Sequence, residues 1–202
     1  MNNINKEKVL SLANNGMVTT SDVTSLGLHR GILKELCDCG ELVKVSRGIY
    51  SLPDSWEDEY ALLQNKYGKG IYSKGTALYL YGYSDRVPLS LDMTFPVNYN
   101  CQSLKQENIN VNRVINENYD LGLTEAVTPF GNKVKAYDLE RCLCDIVKGN
   151  HNDIQLVQYA MKKYALSKDK DINKLMEYAK KLRVVPKIRR YMEVLLWWMM
   201  QA

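Results

Sequence analysis

Glycines at positions 16, 27, 40 and 48 cut the first fifty residues into pieces that can hold only small elements. Asn5 to Asn15 reads as a helix with Val9, Leu12 and Ala13 on one face and Gly16 as its stop. Thr19, Thr20 and Ser21 then offer N-cap hydroxyls to a second short helix, Asp22 to Leu26, whose Val23 and Leu26 are expected inside. Gly27 makes a turn, and a third helix is expected over Leu28 to Cys39, closed by Gly40 where a left-handed residue is wanted. Ile32, Leu33 and Leu36 face inward, while Arg30 and Lys34, four residues apart, share the outer face. Gly31 between them is expected to let a partner approach the backbone. The segments "ELVKVS" and "IYSL", joined by a turn at Arg47-Gly48, complete a hairpin.

Three small helices followed by a two-stranded hairpin are the parts of a winged helix-turn-helix. In that fold the third helix enters the major groove of double-stranded DNA and the hairpin tip lies along the neighbouring backbone. Arg30 and Lys34 are the candidates to reach the groove, and Lys44, Ser46 and Arg47 the candidates to donate to phosphates. Thr20 and Ser21 stand beside them, as does His29, which is equally a candidate for helix packing. The competing reading is a protein-docking module, because residues 1–54 carry six basic and six acidic side chains and so have no net charge.

After Pro53-Asp54 the chain changes character. A helix from Trp56 to Tyr67 opens with Glu57, Asp58 and Glu59. "GIYSKGTALYLYGYSD" predicts a strand and then a helix rich in tyrosine (79, 81, 83). Residues 89–97 alternate, with Leu89, Leu91, Met93 and Phe95 expected on one buried face. Residues 109–115 alternate again through Ile109, Val111, Arg113 and Ile115, and two more strands flank Phe130-Gly131. Helices follow over Leu139–Lys148, Asn152–Tyr164, Asp171–Leu182 and Pro186–Met200, the last with Ile188, Met192, Leu195 and Met199 at helical spacing. The fold class is therefore α+β, with a winged helix-turn-helix domain over residues 1–54 and a larger α+β domain over 55–202 that ends in several helices.

Charge and motifs narrow the function. Residues 162–202 carry eleven basic and four acidic side chains, which favours a polyanionic partner. Lys180, Lys181, Arg183, Lys187, Arg189 and Arg190 are candidates for additional phosphate contacts, or an ordinary solvated face. The five cysteines include Cys37-x-Cys39 and Cys142-x-Cys144, neither at zinc-site spacing, with only His29 and His151 to assist. Reduced thiols in a cytoplasm are expected, with no metal and no cofactor. The longest apolar run, Val194 to Met200, is too short to span a bilayer, so no membrane partner is expected. Phosphate-loop, zinc-protease, nucleophile-elbow and dinucleotide motifs are all missing, and no catalytic residue is assigned. Two alternatives stay open: a metal-dependent nuclease built on Asp92, Glu125 and Lys135, and a ligand-responsive repressor whose tyrosine-rich region lines a pocket.

The stretch "GLHRGILKELCDCGELVKVSRGIYSLPD" resembles the wing region of AbiEi-type antitoxins, the antitoxin half of type IV toxin–antitoxin systems linked to abortive infection by phage. "IYSKGTALYLYGYSDRVP", "DMTFPVNYN" and "VTPFGNKVKAYDLERCLCDIVK" resemble, in order, the family's Ser-Ala-Leu helix, its proline-ended strand, and its Pro-Phe-Gly turn with the Glu-Arg-Thr helix. Gly75 stands where the family has a small hydroxyl residue, and Cys142 where it has threonine. The resemblance covers roughly residues 5 to 150. It implies a cytoplasmic autorepressor that binds inverted repeats in its own promoter, cooperatively or as a dimer on the DNA, through Arg30, Lys34, Lys44, Ser46 and Arg47. It also implies a C-terminal domain that counters a nucleotidyltransferase-like toxin without a stable complex.

Overall fold

A computed structural model of the chain describes residues 3–13, 16–55, 58–102, 104, 107–148 and 153–201, the last six without their side chains. The chain is α+β and divides into two units: Met1–Lys66 with Val127–Asn132, and Tyr67–Ala126 with Lys133–Ala202.

The first unit runs α1 (Asn3–Leu12), β1 (Val18–Thr19), α2 (Thr20–Ser25), α3 (Gly31–Asp38), β2 (Val43–Ser46), β3 (Ile49–Ser51) and α4 (Glu59–Lys66). The hairpin is joined by the two-residue β1 into a three-stranded sheet of order β1-β3-β2. This is winged-helix topology, with the first strand tucked between α1 and α2. Its hydrophobic core gathers Val9, Ala13, Val18, Val23, Ile32, Leu33, Leu36 and Leu42. Two sequence expectations fail here. Leu12 is 37% exposed and Leu26 44% exposed, because each lies at the last turn of its helix and outside the arc that faces this core. Asn14, Asn15, Trp56 and Glu57 lie outside the described residues.

Helix ends follow local chemistry. Thr19 caps α2, its hydroxyl accepting from the Asp22 N–H at 3.2 Å while the Asp22 carboxylate accepts from the Thr19 N–H at 2.8 Å. At the other end of α3, Gly40 takes φ +74°, its N–H donating to Cys37 and that of Glu41 to Leu36. These are the two bonds of a Schellman stop. The buried Asp58 ties down the 127–132 segment of the same unit: its carboxylate accepts from the Thr128 hydroxyl at 2.6 Å and the Asn132 amide at 2.8 Å.

The second unit holds a five-stranded sheet of order β6-β5-β4-β8-β7, from β4 (Ile71–Tyr72), β5 (Leu91–Pro96), β6 (Ile109–Val114), β7 (Leu123–Val127) and β8 (Lys133–Tyr137). β4 pairs antiparallel to β5, but β5–β6 and β4–β8 are parallel. Leu91, Met93 and Phe95 are buried as the alternation requires, but Leu89 is 93% exposed because the strand begins only at Leu91. Helices α5 (Lys74–Leu80), α6 (Asn116–Tyr119), α7 (Leu139–Val147), α8 (Ile154–Leu166), α9 (Ile172–Lys181) and α10 (Val185–Gln201) complete the unit. Every residue of α7 from Glu140 to Val147 is buried. Ile188 and Met192 of α10 are buried and Leu195 is half-buried, while the Met199 side chain lies outside the description.

Candidate nucleic-acid interface

The outer face of α3 exposes Arg30, Lys34, Glu35 and Asp38. The two cations occupy its N-terminal half and the two acids its C-terminal half, so the end that presents positive charge is also the end whose backbone N–H groups point outward. The helix begins at Gly31 rather than Leu28, which makes Arg30 its N-cap residue. Arg30 Nε donates to Thr24 Oγ1 at 3.3 Å, and that hydroxyl donates to the Thr20 carbonyl at 2.7 Å. Gly31 is not open to a partner as its sequence position suggests. The His29 ring fills that space: Nδ1 would lie 3.0 Å from a Cβ there and accepts from the Gly31 N–H at 3.1 Å. His29 therefore satisfies one of the orphan donors at the start of α3, a job that no hydroxyl is placed to do.

The wing is short and twisted. Lys44 pairs with Tyr50 and Ser46 with Ile49, leaving Val45 as a bulge that turns the strand end. Lys44, Ser46 and Arg47 are all exposed. Of the two loop residues only Gly48 takes positive φ, at +78°. The tip is fixed to the start of α2: the Thr20 N–H donates to the Gly48 carbonyl at 2.9 Å, and a Cβ on Gly48 would meet Thr20 Oγ1 at 3.1 Å. Thr20 is thus half-buried under the tip, while Ser21 is exposed beside it. Lys44 lies close enough to α3 to act on Cys37, whose thiol is raised by burial and by Asp38 and is held back by Lys44. Fold contacts thus join the N-terminus of α2, the N-terminus of α3 and the hairpin into one polar surface.

In the second unit the basic residues separate into groups. Lys181, Arg183 and Lys187 surround one hollow, together with Lys148, which sequence reasoning did not single out. Lys187 also borders a second hollow with Arg190. Lys180 is exposed near the end of α9, and Arg189 lies 3.9 Å from Glu193. No periodicity marks Lys148, since it follows the buried helix α7 and meets the other cations only through packing.

The residues of the nuclease alternative do not converge. Asp92 stands on β5 and Glu125 on β7, three strand spacings or about 14 Å across the sheet. The Asp92 carboxylate accepts from the Gly75 N–H and the Asn110 amide, Glu125 pairs with Lys133 at 3.2 Å, and Lys135 donates to the Gly68 carbonyl. Among the described residues no group of three or more His, Cys, Asp or Glu is placed to hold a metal ion; His151 lies outside them. Tyr83 packs beneath Lys163, and the buried Tyr81 hydroxyl has no hydrogen-bond partner among the described residues. Among the described residues no helix is long and apolar enough to cross a membrane.

Comparison with known proteins follows this division of the chain. Over the whole length, the crystal structure of the RV2827C protein from Mycobacterium tuberculosis is similar, with a TM-score of 0.53 at 16% identity, covering 96% of this chain and 80% of that one. At that identity the likeness concerns the fold. No curated protein matches. Residues 7–53, from the middle of α1 to just past the hairpin, match the family described as "Transcriptional regulator, AbiEi antitoxin". Over the winged helix, then, this chain is similar to the AbiEi-antitoxin transcriptional regulators.

Proposed function

We propose that the chain is a cytoplasmic DNA-binding antitoxin that represses its own operon by binding inverted repeats in the promoter. Residues 1–54 supply the DNA-binding part, and residues 55–202 counter a nucleotidyltransferase-like toxin without forming a stable complex with it. The observation that carries this reading is the polar surface of the winged helix, where cations crowd the N-terminal half of α3 and the wing tip is hydrogen-bonded to the start of α2. Winged and related helix-turn-helix proteins read base edges from the N-terminal residues of that helix. Arg30 and Lys34 take the base-reading role. Lys44, Ser46 and Arg47, with the exposed Ser21, hold phosphates and fix the register. Two copies sit on an inverted repeat.

The test is an anisotropy titration of the full chain against its own upstream DNA and a scrambled duplex, at several salt concentrations. Lys44→Ala and Arg47→Ala should each flatten the salt slope by about 0.9. Arg30→Ala should cost about 1–3 kcal/mol on the upstream DNA and less on the scrambled control. Unchanged slopes in both wing variants would remove the wing from the interface. Equal loss on both duplexes would make Arg30 a phosphate contact.

A further inference from the structure

The hollow between α6, α9, α10 and the residues after α7 has a volume of about 830 Å³, within the range that holds a small organic ligand. Four cations from three separate segments line it: Lys148 after α7, Lys181 and Arg183 at the end of α9, and Lys187 in the first turns of α10. Glu117 is the single acid in its wall, and Ile115 and Leu121 supply apolar surface. Two of the cations are already engaged. Lys181 pairs with Glu177 at 2.7 Å, and Lys187 donates to the Val147 carbonyl at 2.9 Å. Among the described residues no ion pair or hydrogen bond engages the side chains of Lys148 or Arg183, which both line the hollow, although the Lys148 charge also acts on Asp145.

The backbone gives an independent sign. Arg183 has φ +60°, at the left-handed position of a Schellman stop in which its N–H donates to Lys180 and that of Val184 to Ala179. At α2, α3 and α5 the same left-handed place is held by glycine: Gly27, Gly40 and Gly82. A side chain in that conformation is strained, and strain kept in a concave basic site points to a use for the side chain. Arg183 puts a guanidinium, the group best shaped to grip a phosphate through paired N–H donors, at the rim where glycine would put nothing.

We propose that this hollow is a binding site for a compact organic phosphate, such as a nucleotide, with Lys148 and Arg183 as the principal phosphate ligands. Ile115 and Leu121 face the organic part. A small ligand fits better than a duplex, because the charge lines a concavity instead of tracking along a ridge. The site belongs to the second unit, whereas the residues proposed to read the promoter belong to the first.

The experiment is calorimetric titration of the full chain with inorganic pyrophosphate and with ATP, at matched ionic strength, on wild type and on Lys148→Gln, Arg183→Gly and Lys168→Gln. Saturable binding of ATP, competed by pyrophosphate, is expected, weakened roughly tenfold or more by Lys148→Gln and by Arg183→Gly. Arg183→Gly should at the same time raise Tm by about 2–4 °C, since glycine relieves the backbone, so its loss of binding is not misfolding. Lys168, exposed and outside the hollow, should change nothing. The proposal is overturned if neither probe binds the wild-type chain, or if Lys168→Gln weakens binding as much as the two site variants. It is also overturned if Lys148→Gln affects only duplex DNA. None of these results bears on Arg30 or Arg47, so the promoter reading stands or falls separately.

Discussion

The two units handle positive charge in opposite ways. In the winged helix the core clusters apolar side chains, and Arg30, Lys34, Lys44 and Arg47 are all at the surface. In the second unit the largest fully buried side chain is Arg141, with no exposed surface at all. Its Nε donates to Asp145 at 2.9 Å, its Nη1 to the carbonyls of Asn118 and Leu121, and its guanidinium lies 4.2 Å from the centre of the Tyr137 ring. Among the described residues Nη2 has no hydrogen-bond partner. Asp138 and Glu140 at the start of the same helix share Lys174, at 2.9 and 3.3 Å. The winged helix keeps its cations out of its core. The larger unit spends cations on joining the α6–β7 segment to α7, where burial makes each pairing obligatory.

That contrast can be broken by mutation, with hydrogen exchange showing which unit loses protection. The largest effect is expected from Arg141→Met, which strands Asp145 and two carbonyls in the interior. It should cost about 3–5 kcal/mol, lost from amides of the second unit, and Arg141→Met/Asp145→Leu should recover much of it. Denaturant unfolding checks both. A smaller loss, confined to the first unit, is expected from Gly48→Ala. A left-handed residue with a Cβ costs about 1–2 kcal/mol, and here that Cβ also crowds Thr20. Thr19→Ala should cost about 1 kcal/mol by removing the cap of α2, again read from first-unit amides.

The smallest effect concerns pH. Burial raises the Asp92 carboxyl above its ordinary range, against the opposing pull of Lys74 and the hydrogen bond from Asn110. A carboxyl raised in the folded state binds its proton more tightly there than in the unfolded chain. Its contribution is therefore fully present below the ordinary carboxylate range and is lost as pH rises through the raised value. Relative to wild type, Asp92→Asn should gain stability as pH is taken from acidic to neutral. Thermal melts of both proteins across that window measure the difference; parallel curves would mean that burial at Asp92 costs nothing.

The parts that were legible in the sequence are those fixed by neighbours along the chain. Gly40 stops α3 because the two closing bonds connect residues three and five apart, and Gly48 permits the turn because the constraint lies in its own φ. Short elements escaped: β1 has two residues and α6 four, too few to show any period. Leu89 misled because alternation continues in sequence beyond the point where the strand stops pairing. Of the candidate interface, the identity of the cations was readable. The occupation of the Gly31 space by His29, the tie between the wing tip and Thr20, and the meeting of Lys148 with Arg183 were not.

By itself, then, the sequence determined the α+β class, the three helices and hairpin of the winged helix, and which side chains carry positive charge. Periodicity and turn chemistry act within a few residues and leave their mark locally. Tertiary structure alone decided that β5 and β6 run parallel, that β8 lies beside β4, that Arg141 is interior, and that four lysines and arginines line one hollow. Those outcomes depend on which surfaces bury each other across long stretches of chain. No local spacing records that choice, because it is made by the summed burial of side chains far apart in sequence.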